Sequence, residues 1–215
     1  MKMDYSVGLA REQDQHDDFG VIEKRGAARF TSLIRAAKLI TSQGEFICVI
    51  RDVSATGISL RTFHTMPDTK GMRLELQNGE THALTETRCN GTEASFCFAE
   101  PVVVERLIRE SWNFPKRQLR LNIRLPLTLS SLMGSAEAET LNVSQQGARV
   151  ECDMDFAIDQ PLRVVSKQYG EFRAKVRWRK ERVYGLVFES TYSLREFAML
   201  AAAAQCPALL ADPSQ

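Results

Sequence analysis

Two copies of one short pattern lie 90 positions apart in this chain of 215 residues. In "RDVSATGISL" an acid, a hydroxyl and a glycine follow one another as Asp52, Ser54 and Gly57. In "TLNVSQQGARV" an amide replaces the acid, giving Asn142, Ser144 and Gly147. Around each copy the same grammar repeats. A basic stretch comes first, then short apolar or alternating runs separated by Gly, Asn, Pro and Asp. Such runs read as strands joined by turns, and two similar units of this size read as an internal duplication. Units of about 85 to 100 residues are each large enough for a core of their own.

In the first unit the basic stretch is "EKRGAARF". The runs are "SLIRAAKLIT", "EFICVIRDV", "GISLRTF", "MRLELQ" and "EASFCFAEP". "SLIRAAKLIT" contains good helix formers, but its short length and its place before another strand favour a strand. "VVVERLIRESWNF" turns amphipathic, with Val104, Leu107, Ile108 and Trp112 near helical spacing, and reads as a short connector ending near Pro115. The grammar then restarts with "PKRQLRLNIRLP", followed by "LPLTLSSL", "ETLNV", "GARVECD", "PLRVVS", "GEFRAKVRWRK" and "RVYGLVFES". "SLREFAMLAAAAQ" predicts a closing helix of about three turns with Ser193 as N-cap. The polar residues 1–21 and the end 206–215 are expected to be tails. Many short antiparallel strands at regular spacing suggest small barrels or sandwiches. A small barrel has a filled interior, so a ligand would sit outside it or at its rim.

Composition narrows the function. Net charge is +1, so nothing pulls the whole chain toward nucleic acid or an acidic membrane, and an anion site must come from local clustering. No apolar run approaches the ~18 residues of a membrane span, and the acidic N-terminus lacks a secretory core. The expected setting is cytoplasmic. The five cysteines form no CxxC pair, and four sit among apolar or strand-like residues; they are expected to be reduced, structural thiols. His16, His64 and His82 are scattered, so no metal site is expected. Ser54 and Ser144 have no sequence neighbour resembling an activating base, and no nucleotide-binding glycine loop occurs. The chain is not expected to be an enzyme.

The chemistry lies in each basic stretch combined with its Ser-Gly turn. Arg25 and Arg29 precede Asp52; Lys116 and Arg120 precede Asn142 at nearly the same distance. Arginine presents a rigid fork suited to a phosphate or to the O6/N7 edge of guanine. An Asp or Asn oxygen can accept from guanine N–H groups, and Gly lets the backbone approach closely. Arg-x-x-x-Arg followed about twenty residues later by [Asp/Asn]-x-Ser-x-x-Gly resembles the PilZ family. "AKVRWRKERVYGLVFES" is similar to the closing hairpin of a PilZ barrel. The resemblance covers about 22–104 and 114–195.

The resemblance implies an all-β chain of two tandem six-stranded antiparallel barrels, with a short connector helix and a C-terminal helix. The units are placed at 22–104 and 114–205, joined by 105–113. It also implies binding of the bacterial second messenger cyclic di-GMP. In the first unit the ligand residues would be Arg25, Arg29, Asp52, Ser54 and Gly57. In the second they would be Lys116, Arg117, Arg120, Asn142, Ser144 and Gly147. An unbroken Arg-x-x-x-Arg also occurs at Arg120 and Arg124, but it leaves a shorter run to Asn142. In the alternative register Lys116 takes the first basic position, and Lys cannot reproduce the Arg fork. The first unit is therefore the favoured site.

The remaining basic residues have plainer roles. Arg35, Lys38 and Arg61 are expected on a solvated strand face. Trp178 alternates with Ala174 and Val176 and is expected in the core. The implied function is a cytoplasmic cyclic di-GMP receptor that acts on an unidentified downstream protein by ordering its basic N-terminal loop. Nucleic acid and membrane insertion are not expected. The alternative is a PilZ-like adaptor that binds protein and no nucleotide.

Overall fold

The computed structural model describes residues 30–108 and 118–211, with side chains from Arg35 onward except that of Ile108. The first half contains β1 (Phe30–Thr41), β2 (Gly44–Val53), β3 (Gly57–Thr62), β4 (Arg73–Glu75), β5 (Thr81–Asn90) and β6 (Glu93–Phe98). The second contains β7 (Pro126–Ser131), β8 (Gly134–Val143), β9 (Gly147–Cys152), β10 (Pro161–Ser166), β11 (Gly170–Lys180) and β12 (Val183–Phe188). Each set closes into an antiparallel barrel. The neighbour order is β1-β2-β3-β6-β5-β4 in one and β7-β8-β9-β12-β11-β10 in the other, the same topology twice.

"SLIRAAKLIT" is a strand, as its position suggested. β5 is the strand that the apolar runs did not reveal. Only Leu84 of its side chains is buried, so it shows no apolar stripe. Its place comes from pairing with β4 on one side and β6 on the other. The Phe46-Ile47-Cys48 run is buried without alternation because both faces of β2 are covered. Phe46 and Cys48 face their own barrel, while Ile47 joins the apolar cluster of the second half.

That second cover is α2 (Leu194–Gln205), which carries a complete capping box at Ser193 and Glu196. Glu196 accepts from the Ser193 backbone N–H, which holds its carboxyl below the usual range. Phe197, Ala198 and Ala201 pack into the second core, and Ala202 packs into the first. Three alanines in this stretch let the helix lie close to both barrels. Gln205 finishes the junction. Its Oε1 accepts from Glu45 N at 2.9 Å, and its Nε2 donates to Glu45 O at 2.7 Å. Residues Pro207–Leu210 continue as a 3-10 turn with Leu209 buried in the first cluster, where the sequence suggested a loose tail. A short helix, α1 (Val104–Ile108), begins the connector, and Arg35 Nη1 donates to its Leu107 carbonyl.

Two expectations about side chains are corrected here. Lys38 is 4% exposed, not solvated. Its Nζ lies 3.3 Å from Glu45 Oε2 and 3.1 Å from Glu75 Oε1. Among the cysteines only Cys48 and Cys152 are buried; Cys89 and Cys97 are exposed and Cys206 is intermediate, all free. Among the described residues no helix is long and apolar enough to cross a membrane, and no cluster of metal-ligating side chains occurs.

Candidate functional site

The two Ser-Gly turns have the same construction. Ser54 N donates to Gly57 O at 2.8 Å, and Ser144 N to Gly147 O at 2.8 Å. Each hydroxyl also bonds within its own turn: Ser54 Oγ to Gly57 O at 3.3 Å, Ser144 Oγ to Gly147 O at 3.1 Å. The serines therefore shape the turns. The glycines are there for clearance. A Cβ on Gly147 would stand 2.2 Å from Leu186 O, and one on Gly57 would stand 3.2 Å from Phe96 O.

A β-bulge precedes each turn, between Ile50 and Asp52 in β2 and between Thr140 and Asn142 in β8. The extra residue reverses the inward-outward alternation. Val53 and Val143 are buried, and Asp52 and Asn142 face outward beside Ser59 and Arg149 on the next strand. A second pair of bulges occurs between Glu86 and Arg88 in β5, and between Val176 and Trp178 in β11. This explains why Trp178 is not in the core. Ala174 and Val176 point inward, and the bulge turns Trp178 outward, 39% exposed. Its partner is Gly185, where a Cβ would lie 2.1 Å from Trp178 Nε1, so the indole lies across the glycine. Alternation alone carried no sign of the bulge; an Arg-Trp pair opposite a strand glycine was the available signal.

Arg120 reaches the same face through the strand-like segment ahead of β7. Leu119, Leu121, Ile123 and Leu125 are buried, while Arg120, Asn122 and Arg124 alternate outward. Leu121 and Val143 exchange backbone hydrogen bonds of 2.9 Å in an antiparallel bridge, which sets Arg120 across from Ser144 and Asn122 across from Asn142. The buried Thr140 straps the segment down: its Oγ1 donates to Ile123 O at 2.6 Å and accepts from Leu125 N at 2.8 Å. Arg124 instead pairs with Glu139 and does not line the cavity described next. The Arg120–Arg124 spacing thus does not form a clamp.

These elements surround a cavity of about 760 Å³ on the outer face of the second barrel. Asn142, Ser144, Gly147 and Arg120 line it, together with Arg149, Arg177 and Trp178, which sequence reasoning did not select. Its other wall comes from the first barrel, with Lys38, Glu75 and the turn after β4. Among the described residues four cations face one carboxylate, Glu75, and that carboxylate is already held by Lys38. Arg120, Arg149 and Arg177 form no ion pair with any described residue. The amides of Gln118, Asn142 and Gln146 likewise make no side-chain hydrogen bond among the described residues, though all three line the space.

The corresponding face of the first barrel is smaller and electrically balanced. A cavity of about 270 Å³ is lined by Arg51 and Arg88 against Asp52 and Glu93, with Ser59 and Ser95 between. Arg51 lies 3.8 Å from Glu93, and the hydroxyls of Ser59 and Ser95 are 3.4 Å apart. Ser54 and Gly57 do not line it. Arg25, Arg29, Lys116 and Arg117 lie outside the described residues.

The PilZ domain family model matches residues 115–203, the second barrel and most of α2. No curated protein matches the chain. Among solved structures, the chain is similar to Borreliella burgdorferi PlzA in complex with c-di-GMP, at 11% identity and a TM-score of 0.32. That alignment covers 80% of this chain and 87% of the other. Bacillus subtilis MotI/DgrA, an inhibitor of motility, aligns at 12% identity and a TM-score of 0.34, covering 78% and 93%. Escherichia coli YcgR in complex with c-di-GMP aligns at 12% identity and a TM-score of 0.32, covering 77% and 80%. Residues 115–203, which hold the second barrel, thus match the PilZ domain family.

Proposed function

We propose that this protein is a non-enzymatic cyclic di-GMP receptor and that the second barrel holds the ligand. The observation that carries this reading is the convergence of Arg120, Arg149 and Arg177, without carboxylate partners among the described residues, on a cavity lined by free amides and an outward-facing Trp. Unpaired guanidiniums around one space favour a polyanion, and their forks suit phosphate oxygens or the guanine O6/N7 edge. Asn142 supplies both a donor and an acceptor for a base edge. The indole of Trp178 offers a flat surface for stacking. The volume falls in the range of about 300–1,000 Å³ found for ligand pockets. Lys116 and Arg117, just ahead of Arg120 in the chain, are proposed as further ligand residues from their place in the family pattern.

This assignment reverses the sequence-based preference for the first unit. The first barrel's face carries Ser59 where the second has Arg149, and its cations are matched by acids. Binding there by Arg25, Arg29, Asp52, Ser54 and Gly57 is not part of the proposal. The receptor is read as a cytoplasmic protein that passes its occupancy to a downstream protein.

The test is calorimetric titration of the full-length protein with cyclic di-GMP. Wild type should bind with one class of site. Arg120→Ala and Arg149→Ala should each weaken binding about 10- to 100-fold, the loss of a charge-assisted contact. Asp52→Ala should leave it unchanged. Absence of binding by wild type would refute the receptor reading and leave a nucleotide-independent adaptor. Loss of binding in Asp52→Ala alone would return the site to the first barrel.

A further inference from the structure

Pairing register sets each residue of the first half 90 positions before its counterpart, from the Ser-Gly turn to the helix after the last strand. Gly57 faces Cys97 as Gly147 faces Val187, and Leu84 faces Phe98 as Ala174 faces Phe188. Val102 N donates to Ala55 O at 2.8 Å as Tyr192 N does to Gln145 O at 3.0 Å. His82 thus corresponds to Phe172, Phe98 to Phe188, Gly79 to Tyr169 and Val102 to Tyr192. In the second half these four rings pack together. Ring centroids lie 4.9 Å apart for Phe172 and Phe188, 6.1 Å for Phe188 and Tyr192, and 6.4 Å for Tyr192 and Tyr169. The first half keeps one such pair, His82 edge-on to Phe98 at 5.5 Å. The two tyrosine rings have no counterpart there, because Gly79 has no side chain and Val102 is short.

In their place is a cavity of about 280 Å³, walled by His82, Val102 and Leu107 and rimmed by Glu80, Glu100 and Arg106. Its frame is the one that holds two aromatic rings in the other half, so the space suits a ring. Two further differences set its chemistry. Val103 stands where the second half has Ser193, the N-cap of α2, and is 56% exposed. A hydrophobe is poor at that position; here it extends the apolar surface outward from the cavity. Glu80 and Glu100 stand where the second half has Gly170 and Ser190. Neither acid nor Arg106 forms an ion pair with any described residue. Two carboxylates against one guanidinium leave the rim acidic. A ring-sized space with an acidic rim favours an aromatic group beside a positive charge. The apolar surface at Val103 reaches past one ring, which suits a polypeptide.

We infer that this cavity is a docking site for a partner protein, which inserts an aromatic side chain flanked by a basic residue. It shares no lining residue with the cavity beside Arg120 and Arg149, and it does not depend on what that cavity binds.

The amide of Lys-Tyr-Lys serves as the probe, titrated into the full chain with isotope-labelled valine methyls and histidine rings. It should shift the Val102, Val103 and His82 signals saturably. Lys-Ala-Lys amide should bind at least about tenfold more weakly, the loss of one buried ring. Glu-Tyr-Glu amide should bind severalfold more weakly, and that difference should shrink at high salt. Val102→Tyr restores the residue of the second half and fills the space. It should abolish the His82 and Val103 responses without lowering the thermal midpoint, and leave cyclic di-GMP affinity as in wild type. Glu100→Lys, on the exposed rim, should reverse the preference between the two tyrosine peptides. If Lys-Ala-Lys shifts the same signals as strongly, or folded Val102→Tyr still responds, no ring enters the cavity and the docking site is overturned. A rim charge that leaves the preference unchanged overturns the basic partner. A silent probe overturns the inference too, including where the Val103 signals move instead with the protein's own concentration, which assigns the face to contacts between copies.

Discussion

The duplicated turns provide an internal control for backbone clearance. Gly57 and Gly147 occupy equivalent places, and neither has the positive φ that alone would demand glycine. They differ in what an added methyl would meet. At Gly147 it would lie 2.2 Å from Leu186 O and 3.3 Å from Leu186 C, both backbone atoms in β12. No rotamer change can relieve that, so β9 and β12 must separate by roughly 1 Å. Overpacking of this kind costs about 1–3 kcal/mol. The neighbouring bond from Phe188 N to Gln146 O, 2.8 Å long, would be strained as well, adding about 0.5–1.5 kcal/mol. Gly147→Ala is thus expected to cost about 2–4 kcal/mol. At Gly57 the nearest atom is Phe96 O at 3.2 Å, which needs only a few tenths of an ångström. That small strain is offset by about 0.4–1 kcal/mol from restricting the unfolded chain, leaving Gly57→Ala near neutral. Urea unfolding followed by far-UV circular dichroism measures both. Thermal midpoints should differ by about 4–16 °C for a chain of this size. Equal costs at the two glycines would refute the clearance argument.

Two further predictions concern the junction and pH. Glu45→Ala removes an acceptor from Asn122 N (2.7 Å), Asn122 Nδ2 (2.8 Å) and Lys38 Nζ (3.3 Å). Lys38 keeps Glu75, so the cost should be about 2–4 kcal/mol, below that of stranding a fully buried charge; a urea-unfolding difference under about 0.5 kcal/mol would sink the idea. His64 is buried, with Nδ1 bonded to Thr65 O at 2.7 Å and Nε2 unpartnered, and burial holds its pKa below the ordinary value. The unfolded chain therefore takes up a proton first as pH falls below about 6.5. Stability contributed by neutral His64 should be complete above that pH and decline as pH falls toward its folded pKa. Thermal midpoints between pH 8 and 5 should drop less in His64→Phe than in wild type.

Both barrels were legible because their evidence is local and repeated. The turn residues, the apolar runs and the Ser193 cap each act within a few residues of sequence. β5 escaped because its identity comes from neighbours on both sides, with Leu84 its one buried side chain. Lys38 was misread for a related reason: its partners Glu45 and Glu75 come from other strands. The candidate site was half legible. Arg120, Asn142, Ser144 and Gly147 follow from the family pattern. Arg149 and Arg177 sit in ordinary alternating strands, and nothing in one sequence says that their faces converge. Trp178 was placed in the core because period-two reasoning fails wherever a bulge inserts one residue.

The two barrels also show how one architecture can close a site or leave it open. Pairing register aligns Ser59 with Arg149, Arg88 with Trp178, and Ser95 with Gly185. In the first barrel the two serines bond to each other and acids line the face with the arginines. Ser59 and Ser95 share a hydrogen bond, Thr87 Oγ1 donates to Ser95 O at 2.9 Å, and Arg51 approaches Glu93. The cavity on that face carries Asp52 and Glu93 against Arg51 and Arg88. In the second barrel, Gly185 has no side chain to fill the face, so Trp178 lies across it and Arg149 projects without a counter-charge. Unsatisfied groups gathered on one face lower no folding free energy by being there. Their placement makes physical sense when something else supplies the missing partners. The same substitutions that quieted the first face leave that barrel free to serve as a wall for the second. On this argument, transplanting Arg149's counterpart alone, as Ser59→Arg, should not create a second site. Asp52 and Glu93 would neutralise it, and titration should still find the ligand in one class of site.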